Sequence, residues 1–368
     1  MDIQSAVTQR AGIGRYTRQM AEMFPVIAPD IHFRFAYFNF RGKAEVSGIN
    51  PTLCKPIKYV PGSLISLLWK RFTFPSFDLL SGEADVFHFP NFTIPPLSHG
   101  AAVVNIHDVS FINFPEFAEK RNLQFLSATL PRTINRADAV ITGSKYTAEE
   151  IKYCFRISSE KVFAVYNGIS PLFTPRSVDE INITKSSLGI DKPYFLFVGT
   201  IEPRKNLTFL FKVFDLLDDF DGILVIAGMA GWKYEGIIES MRKAKRAKLI
   251  KWIKYIDDKH LPSLYAGAEC FIMPSFYEGF GFPPLEAMAC GTPVVSSAGG
   301  SLKEVLGDAA LIVDNFDPEE WKNVIIRVIS DTDLRKQLKE KGIMHASKFK
   351  WEKTAIETLN ILRSFKTR

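Results

Sequence analysis

Short apolar runs recur along the chain, and most are followed by a stretch with the periodicity of an amphipathic helix. Gly, Pro or polar residues bound each run, which is typical of buried parallel strands in βα units. Helices are predicted between the runs, for example over 118–135 and 207–217. The pattern therefore predicts an α/β fold with doubly wound parallel sheets. The runs predicted as strands are DVFHF (85–89), AAVVNIHD (101–108), AVITGS (139–144), YFLFVGT (194–200), GILVIAG (222–228), CFIMPS (270–275) and TPVVSS (292–297).

The alternation of strands and helices is weakest around residues 170–191, where prolines and a glycine punctuate a polar stretch. A chain of 368 residues also exceeds the length at which one core usually stops growing. We therefore predict one Rossmann-like domain over 1–170 and a second over 190–349, facing each other across a cleft. Only residues 1–3 precede the loop at 11–16 as a possible first strand. A strand usually has about five residues, so we expect this one to be incomplete.

Composition narrows the class of protein. Hydrophobic residues make up 46% and charged residues 23%, and no run of eighteen apolar residues or signal-like N-terminus is found. The cysteines, Cys54, Cys154, Cys270 and Cys290, are scattered and form no C-x-x-C pair. We therefore expect a cytoplasmic protein without a disulfide framework or a structural zinc site.

Positive charge is concentrated near the N-terminus. Residues 1–75 hold ten Lys or Arg against four Asp or Glu, whereas the whole chain has a net charge of +6. Phosphates or an anionic membrane surface would suit such a region. The apolar and basic stretch LISLLWKRFTF (64–74) could lie on a membrane or could be an ordinary helix facing the core. Solvated Lys and Arg on helix faces would also account for the charge.

The richest motif lies over 274–314, where a predicted strand ends in a turn punctuated by Gly279 and Gly281. Pro283 and Pro284 then open a helix, because proline suits a first turn whose amides have no partner in the helix. Amides at such a helix start favour anions. The motif therefore predicts a site for a diphosphate.

Two carboxylates accompany this turn, Glu278 within it and Glu286 in the first helical turn. A second Gly-rich turn, AGGSLKEV (298–305), follows one βα unit later. Each glycine pair is weak evidence by itself, but the two turns together with the carboxylates indicate a site that can hold a diphosphate and a sugar-like diol.

A second element, GTIEPRKN (199–206), also joins a strand end to a helix. Arg204 and Lys205 would reach the same phosphates, Arg with a bidentate fork and Lys with a compact charge. A merely solvated pair is a poor explanation, because cations at a helix N-terminus oppose the macrodipole.

These motifs together resemble the retaining glycosyltransferases of family 4, which have the GT-B architecture of two Rossmann-like domains. The resemblance extends over nearly the whole chain, and the first half is similar to the mannosyltransferase branch. It also implies that the C-terminal helix, about 350–368, crosses back to the N-terminal domain. The matching segments are P-S-x-x-E-G-F-G-x-P-x-L-E-A-M-A-x-G-x-P-V-V in the second half, GTIEPRKN, AGIGRY (11–16), NIHDVSF (105–111), RADAVITGSKYTAEEI (136–151) and FKWEKTAIETL (349–359).

The resemblance implies a role for each site residue. Glu278 would contact the donor sugar, Glu286 would accept both ribose hydroxyls, and the backbone near Ile256 would edge the base. The residues implied in catalysis are Arg204, Lys205, Glu278 and His107. Those implied in donor binding are Gly12, Gly14, Thr200, Ile256, Gly279, Phe280, Gly281, Phe282 and Glu286.

Histidines after apolar strands are more often structural than catalytic. His107 is followed by Asp108 at a predicted strand end, and the family places a sugar-contacting histidine there. His88, in DVFHFPNF (85–92), has a similar position but a weaker match.

The expected reaction is transfer of a hexose to a glycan or lipid-linked glycan. Mannose is the favoured hexose and GDP-mannose the favoured donor. UDP-sugars stay open as donors. Arg204 and Lys205 would stabilise the leaving diphosphate, so neither a metal nor another cofactor is expected. We expect no nucleic-acid partner.

Other functions are compatible with parts of this pattern. An epimerase or a sugar phosphorylase could share the scaffold, and a non-catalytic binding protein could derive from it. An oxidoreductase would need G-x-G-x-x-G, and AGIGRYTR lacks the third glycine at the required place. Glu278 and Glu286 could form a glycosidase pair, but hydrolysis needs no phosphate-binding apparatus.

Overall fold

A computed structural model describes residues 1–9, 12–42 and 46–365. Contacts divide the chain into two units. The first unit comprises Met1–Val109, Arg121–Gly168 and the residues from Trp351 onward, and the second comprises Ser110–Lys120 and Ile169–Lys350. The division differs from the predicted boundaries in two places, because residues 110–120 and 169–189 both belong to the second unit.

All seven predicted strands are present, each one to three residues shorter than its apolar run, and five others accompany them among the described residues. The strands are β1 (Phe35–Phe38), β2 (Cys54–Ile57), β3 (Val86–Phe89), β4 (Ala101–Asn105), β5 (Ala139–Thr142), β6 (Val162–Ala164), β7 (Tyr194–Val198), β8 (Ile223–Ala227), β9 (Ile250–Ile253), β10 (Cys270–Met273), β11 (Val294–Ser297) and β12 (Leu311–Val313).

The helices alternate with the strands as predicted. They are α1 (Gln4–Thr8), α2 (Ile13–Ile27), α3 (Gly62–Leu68), α4 (Phe77–Ser81), α5 (Ser110–Asn113), α6 (Lys120–Arg136), α7 (Lys145–Phe155), α8 (Val178–Ser187), α9 (Leu207–Leu216), α10 (Glu235–Lys243), α11 (Leu261–Ala266), α12 (Phe282–Ala289), α13 (Leu302–Leu306), α14 (Pro318–Ser330), α15 (Thr332–Ala346) and α16 (Trp351–Arg363). In the part of the chain that the structure describes, no helix is long and apolar enough to span a membrane.

The predicted linker contains a helix. Ser177 and Glu180 form a capping box at the start of α8, with each side chain accepting from the other residue's backbone N–H. Such a cap satisfies two amides that the first turn of a helix leaves without partners. The segment around 170–190 is therefore partly helical, which its prolines concealed.

The first unit contains parallel strands in the order β3-β4-β5-β6 and a separate parallel pair, β1-β2. Residues 1–3 lie between the two groups, because the amide of Asp2 donates to His88 and the amide of Ile3 donates to Ala36. The expected short first strand is thus a single bridge. A cavity of about 470 Å³ lies beside it and is lined by residues of both groups.

The second unit is built on one six-stranded parallel sheet in the order β12-β11-β10-β7-β8-β9. Successive strands from β7 extend the sheet in one direction and those from β10 extend it in the other. The order therefore reverses between β7 and β10, and ligands of such sheets bind beyond the carboxyl ends of the strands at this switch point. Phe195, Leu196 and Phe197 of β7 are fully buried, so the switch point rests on a packed core.

The last helix packs on the first unit. Helix α16 lies against α2, Trp351 contacts the ring of Tyr16, and Thr354 Oγ1 donates to the carbonyl of Tyr166 at 2.7 Å. The predicted C-terminal segment extends to residue 368, and its last three residues lie outside the described part of the chain.

Candidate functional site

Two strand-end turns meet at the switch point of the second unit. The turn after β7 contains Arg204 and Lys205 in a short 3-10 helix. The turn after β10 contains Glu278, and the amide of Phe276 in that turn donates to the carbonyl of Arg204 at 2.9 Å. Adjacent parallel strands thus bring together residues that are more than 70 positions apart.

Four charged side chains, three of them buried and Arg204 half-buried, form a cluster between the two turns, here called the ion quartet: Glu202, Arg204, Lys205 and Glu278. Arg204 donates to Glu202 Oε1 at 2.6 Å and to Glu278 Oε2 at 2.9 Å. Lys205 Nζ donates to Glu278 Oε1 at 2.5 Å. Two positive and two negative charges therefore balance, which buried charges require.

The quartet fixes the protonation of Glu278. Burial by itself would raise the pKa of this carboxyl, but Lys205 and Arg204 outweigh burial and lower the pKa to about 2. Burial raises the pKa of Glu202, and the two cations only partly oppose it. Glu278 is consequently a carboxylate at any physiological pH and can accept hydrogen bonds but not donate them.

Neutral groups hold Glu278 in place. Ser275 Oγ donates to Glu278 Oε1 at 2.7 Å, and Ser301 donates to the Glu278 carbonyl from both its amide and its hydroxyl. The second Gly-rich turn supports this contact, because a Cβ on Gly300 would lie 2.4 Å from the Glu278 carbonyl oxygen. The glycines of 298–301 thus permit close backbone approach to the first turn.

Helix α12 begins at Phe282, four residues after Glu278. Gly281 is its N-cap, in the left-handed conformation with φ +94°, which glycine adopts without strain. Phe282 is the first helical residue, and Pro283 and Pro284 follow it, as predicted. Because α12 starts at Phe282, Glu286 lies in the second helical turn and not in the first. The predicted residues Gly279 and Phe280 belong to the turn between Glu278 and this N-terminus.

Glu286 is buried and its Oε2 accepts from Tyr265 Oη of α11 at 3.0 Å. Thr200, which is exposed, follows β7 by two residues, and the half-buried Ile256 lies between β9 and α11. Thr200, Ile256 and Glu286 thus all follow strands of the sheet whose ends carry the ion quartet.

His107 lies in the first unit, two residues after β4. Its Nε2 bonds to the carbonyl of Pro90 at 2.8 Å, and since a carbonyl only accepts, Nε2 carries the proton. Burial lowers the pKa of His107, against smaller opposing effects of Pro90 and Asp108. The ring is therefore neutral at pH 7 and presents Nδ1 as an acceptor.

His88 is a buried residue whose hydrogen bond serves the packing of the first unit. It is 2% exposed, its Nε2 lies 2.6 Å from Asn105 Oδ1, and Asn105 Nδ2 donates to Tyr16 Oη at 3.0 Å. Burial lowers the pKa of His88 to about 4 and raises that of Tyr16 to about 12. All three side chains are neutral at physiological pH and form a buried chain between β3, β4 and α2.

The two predicted glycines of the N-terminal loop differ. Gly12 has φ +54° and nothing within 4 Å of an added Cβ, so its conformation needs glycine and the space in front of it is open. Gly14 is buried, and an added Cβ would lie 2.0 Å from the carbonyl oxygen of Gln9. Gly14 thus serves the packing of α2 against the end of α1. Ala11 of the predicted loop lies outside the described residues.

Glu202, Ser275 and Ser301 were not predicted as site residues. Glu202 stands in the E-P-R-K motif two positions before Arg204, and a carboxylate so near a predicted site cation in the sequence could have indicated it. The serines carry no such signal, because Ser275 and Ser301 are small polar residues whose contacts with Glu278 depend on the folded turns.

The quartet can stabilise an anion at a strand-end turn beside a helix N-terminus, which is the requirement of a leaving diphosphate. Among the described residues, no group of three or more His, Cys, Asp or Glu side chains is arranged to hold a metal ion.

Comparison with known proteins identifies relatives of both halves of the chain. A sequence model described as "Glycosyl transferases group 1" matches residues 179–345, and one described as "Glycosyltransferase Family 4" matches residues 12–171. O-antigen chain mannosyltransferase B of Escherichia coli is 33% identical over 279 residues, which are 75% of this chain and 73% of that protein.

Solved structures share the fold. Sucrose-phosphate synthase from Thermosynechococcus elongatus matches 96% of this chain and 93% of its own with a TM-score of 0.75 at 21% identity. HepE of Anabaena, solved with UDP and glucose, matches 97% of both chains with a TM-score of 0.74 at 18% identity. The predicted architecture of two Rossmann-like α/β units is therefore confirmed.

Proposed function

The chain belongs to the family 4, group 1 glycosyltransferases, and we propose that it transfers mannose from GDP-mannose to a glycan or lipid-linked glycan with retention of configuration. The ion quartet is the observation that carries this proposal. Its two cations are held rigidly by carboxylates, so they are oriented before substrate arrives. Preorganised charge of this kind stabilises a transition state without further rearrangement.

The proposed step breaks the bond between the anomeric carbon and the diphosphate oxygen. Arg204 and Lys205 stabilise the negative charge that develops on this oxygen, and the acceptor hydroxyl attacks from the face that the diphosphate leaves. The departing phosphate takes the acceptor proton, so no separate base is required. Glu278 orients the two cations, and the remaining acceptor capacity of its Oε2 suits a donor-sugar hydroxyl.

Fixed cations take the place that a divalent ion would have in neutralising the diphosphate. We therefore propose that activity is independent of metal. Full activity in excess EDTA is expected, and strict dependence on an added divalent ion would contradict this part of the proposal.

Mannose as the transferred sugar is supported by the Escherichia coli relative, whose name describes a mannosyltransferase of O-antigen chains. The same relative supports a role in cell-surface polysaccharide synthesis. The guanine base is favoured by the resemblance to mannosyltransferases. The neutral His107, with its Nδ1 as an acceptor, is suited to bind a sugar hydroxyl.

A thermal-shift screen against GDP-, UDP- and ADP-sugars tests the donor, because a bound ligand raises stability by mass action. The expected result is the largest shift with GDP-mannose. A larger shift with a UDP-sugar would replace the proposed donor. No shift with any nucleotide sugar would contradict the function.

The first unit exposes a surface suited to an anionic membrane, here called the apolar-basic patch. Helix α3 packs Ile65 against Ile57 and Leu80, and it leaves Leu64 and Leu67 exposed, so part of its apolar surface faces away from the core. The patch consists of Lys58, Tyr59, Leu64, Leu67, Lys70, Arg71, Phe72 and Phe74, all exposed. No acidic residue occurs over 56–77, so cations and apolar side chains stand together without opposing charge.

We assign this patch to peripheral docking on the cytoplasmic face, where nucleotide sugars and a lipid-linked acceptor would meet. Sedimentation with vesicles containing anionic lipid tests it. Replacing Lys70 and Arg71 by Ala should weaken binding, and Phe72→Ser should weaken it further. The matched control replaces Lys120 and Arg121, another adjacent exposed pair. Unchanged binding after loss of Lys70 and Arg71 would remove the assignment.

A further inference from the structure

Residues 110–120, here called the aromatic strap, belong to the second unit although the residues on both sides belong to the first. The chain leaves the first unit after Val109 and returns to it at Arg121. The strap contains the short helix α5 and two half-buried phenylalanines, Phe114 and Phe117.

Rings and hydrogen bonds fasten the strap. Phe117 stacks on Phe276 with 5.0 Å between ring centroids, and Phe114 meets Tyr277 edge-on at 6.1 Å. Trp232 Nε1 donates to the Phe117 carbonyl at 2.6 Å, and Lys233 Nζ donates to a second carbonyl of the strap at 2.7 Å. The strap is therefore attached at two rings and two carbonyls.

The rings under the strap belong to the turn that holds the ion quartet. Phe276 and Tyr277 directly precede Glu278. The Phe276 amide donates to the Arg204 carbonyl at 2.9 Å, and the Tyr277 carbonyl accepts from Arg204 Nη1 at 2.6 Å. The backbone that fixes Arg204 thus carries the side chains on which the strap packs.

We propose that the aromatic strap orients Arg204 and Glu278 for the leaving diphosphate, with Phe114 and Phe117 as positioning residues. The inference rests on the proposed function of the quartet. Loss of the strap rings would leave the ion pairs formed but would widen the range of positions that the turn adopts. Transition-state stabilisation by fixed charges depends on their orientation, so turnover suffers more than stability.

The test compares Phe114→Ala and Phe117→Ala with a matched control, Phe220→Ala. Phe220 is also a half-buried phenylalanine of the second unit, and it stacks on Phe195 at 4.1 Å near the amino end of β7. The probe is the nucleotide sugar that gives the largest thermal shift with the unaltered protein. Its dissociation constant is measured by calorimetry, and its turnover by release of the nucleoside diphosphate.

Each strap variant should lower turnover about tenfold and weaken donor binding about threefold, whereas Phe220→Ala should change neither at a similar loss of thermal stability. Phe114→Tyr and Phe117→Tyr, which retain the ring, should restore turnover. Without ligand, hydrogen exchange over 274–281 should accelerate in Phe114→Ala and Phe117→Ala but not in Phe220→Ala.

Strap variants that behave like Phe220→Ala would overturn the positioning role while the donor site stands. If the unaltered protein binds no nucleotide sugar, the proposed function fails first. In that case, unchanged exchange over 274–281 in Phe114→Ala and Phe117→Ala would also refute the proposal that the strap orders this turn.

Discussion

At the strand ends of the second unit four charged side chains are paired with one another, three of them buried and Arg204 half-buried, whereas the buried polar chain of the first unit is neutral. Glu278 has its pKa lowered to about 2 and is held as an anion, while burial lowers the pKa of His88 to about 4 and keeps it uncharged. One environment supplies opposite charges, and the other supplies amide and hydroxyl partners. Paired charge thus orders the strand-end turns of the second unit, and neutral hydrogen bonds order the strand ends of the first.

The largest expected effect is the removal of one quartet cation. Arg204→Ala should lower kcat at least a hundredfold, since loss of one such contact costs on the order of 3–4 kcal/mol of transition-state stabilisation. Stability should fall as well, because Glu202 loses its partner. Initial rates and thermal unfolding are measured beside Lys212→Ala, an exposed cation on α9. A rate near that of the unaltered protein would refute the assignment.

Glu278→Gln tests the charged side of the comparison through pH. A carboxyl whose folded pKa is lowered from 4.5 to about 2 adds stability above pH 4.5 and loses it as pH falls toward 2. The unaltered second unit should therefore be more stable than the variant at pH 7, by about 3 kcal/mol, and the difference should shrink on acidification. Hydrogen exchange of peptides from 194–313 measures it. A difference independent of pH would contradict the lowered pKa.

His88→Gln tests the neutral side. Because the pKa of His88 is about 4 in the folded state against 6.5 ordinarily, the unfolded chain binds the proton first. The first unit should lose stability as pH falls from 6.5 to 4, a higher window than that of Glu278. Gln keeps an N–H for Asn105 but does not titrate, so the variant should lose this dependence. Exchange of peptides from 86–105 reports it, and an unchanged dependence would count against the prediction.

Tyr265→Phe should have the smallest effect. It removes one hydrogen bond to Glu286, worth about 0.5–1.5 kcal/mol, so donor affinity should fall about two- to tenfold. Tyr194→Phe is the matched control, because Tyr194 Oη donates to the Leu264 carbonyl and not to Glu286. Calorimetric titration compares the two variants. Equal donor affinity in the two variants would contradict the proposed contact between Glu286 and the donor ribose.

The central strands were predictable, whereas of the edge strands that the structure describes only β3, in the run 85–89, was predicted. The runs that became β7, β8 and β10 are continuous and apolar, because both faces of a central parallel strand are covered. By contrast β2, with the sequence CKPI, and β9, with IKWI, lie at sheet edges and carry Lys or Pro. An edge strand has one neighbour fewer and tolerates such residues, so its sequence resembles a loop.

Three of the four charged residues that the structure brings together were predicted from the sequence, and Glu202 was not. Arg204, Lys205 and Glu278 stand beside glycines and prolines at strand ends, a combination that packing alone does not require. Their ion-pair partners could not be predicted from the sequence. Glu278 lies 74 positions from Arg204, and the pairing depends on β7 and β10 being neighbours in the sheet. Likewise, a boundary drawn from prolines could not show that residues 110–120 pack with the second unit.

The route of the chain between the units has a consequence for biosynthesis. Residues 169–350 emerge from the ribosome before α16, so the sheet of the second unit can assemble while the first unit still lacks the helix that covers α2. The half translated first is thus the half completed last. A nascent chain stalled before Trp351 would expose the face of α2 near Tyr16, and that surface would be the one offered to chaperones.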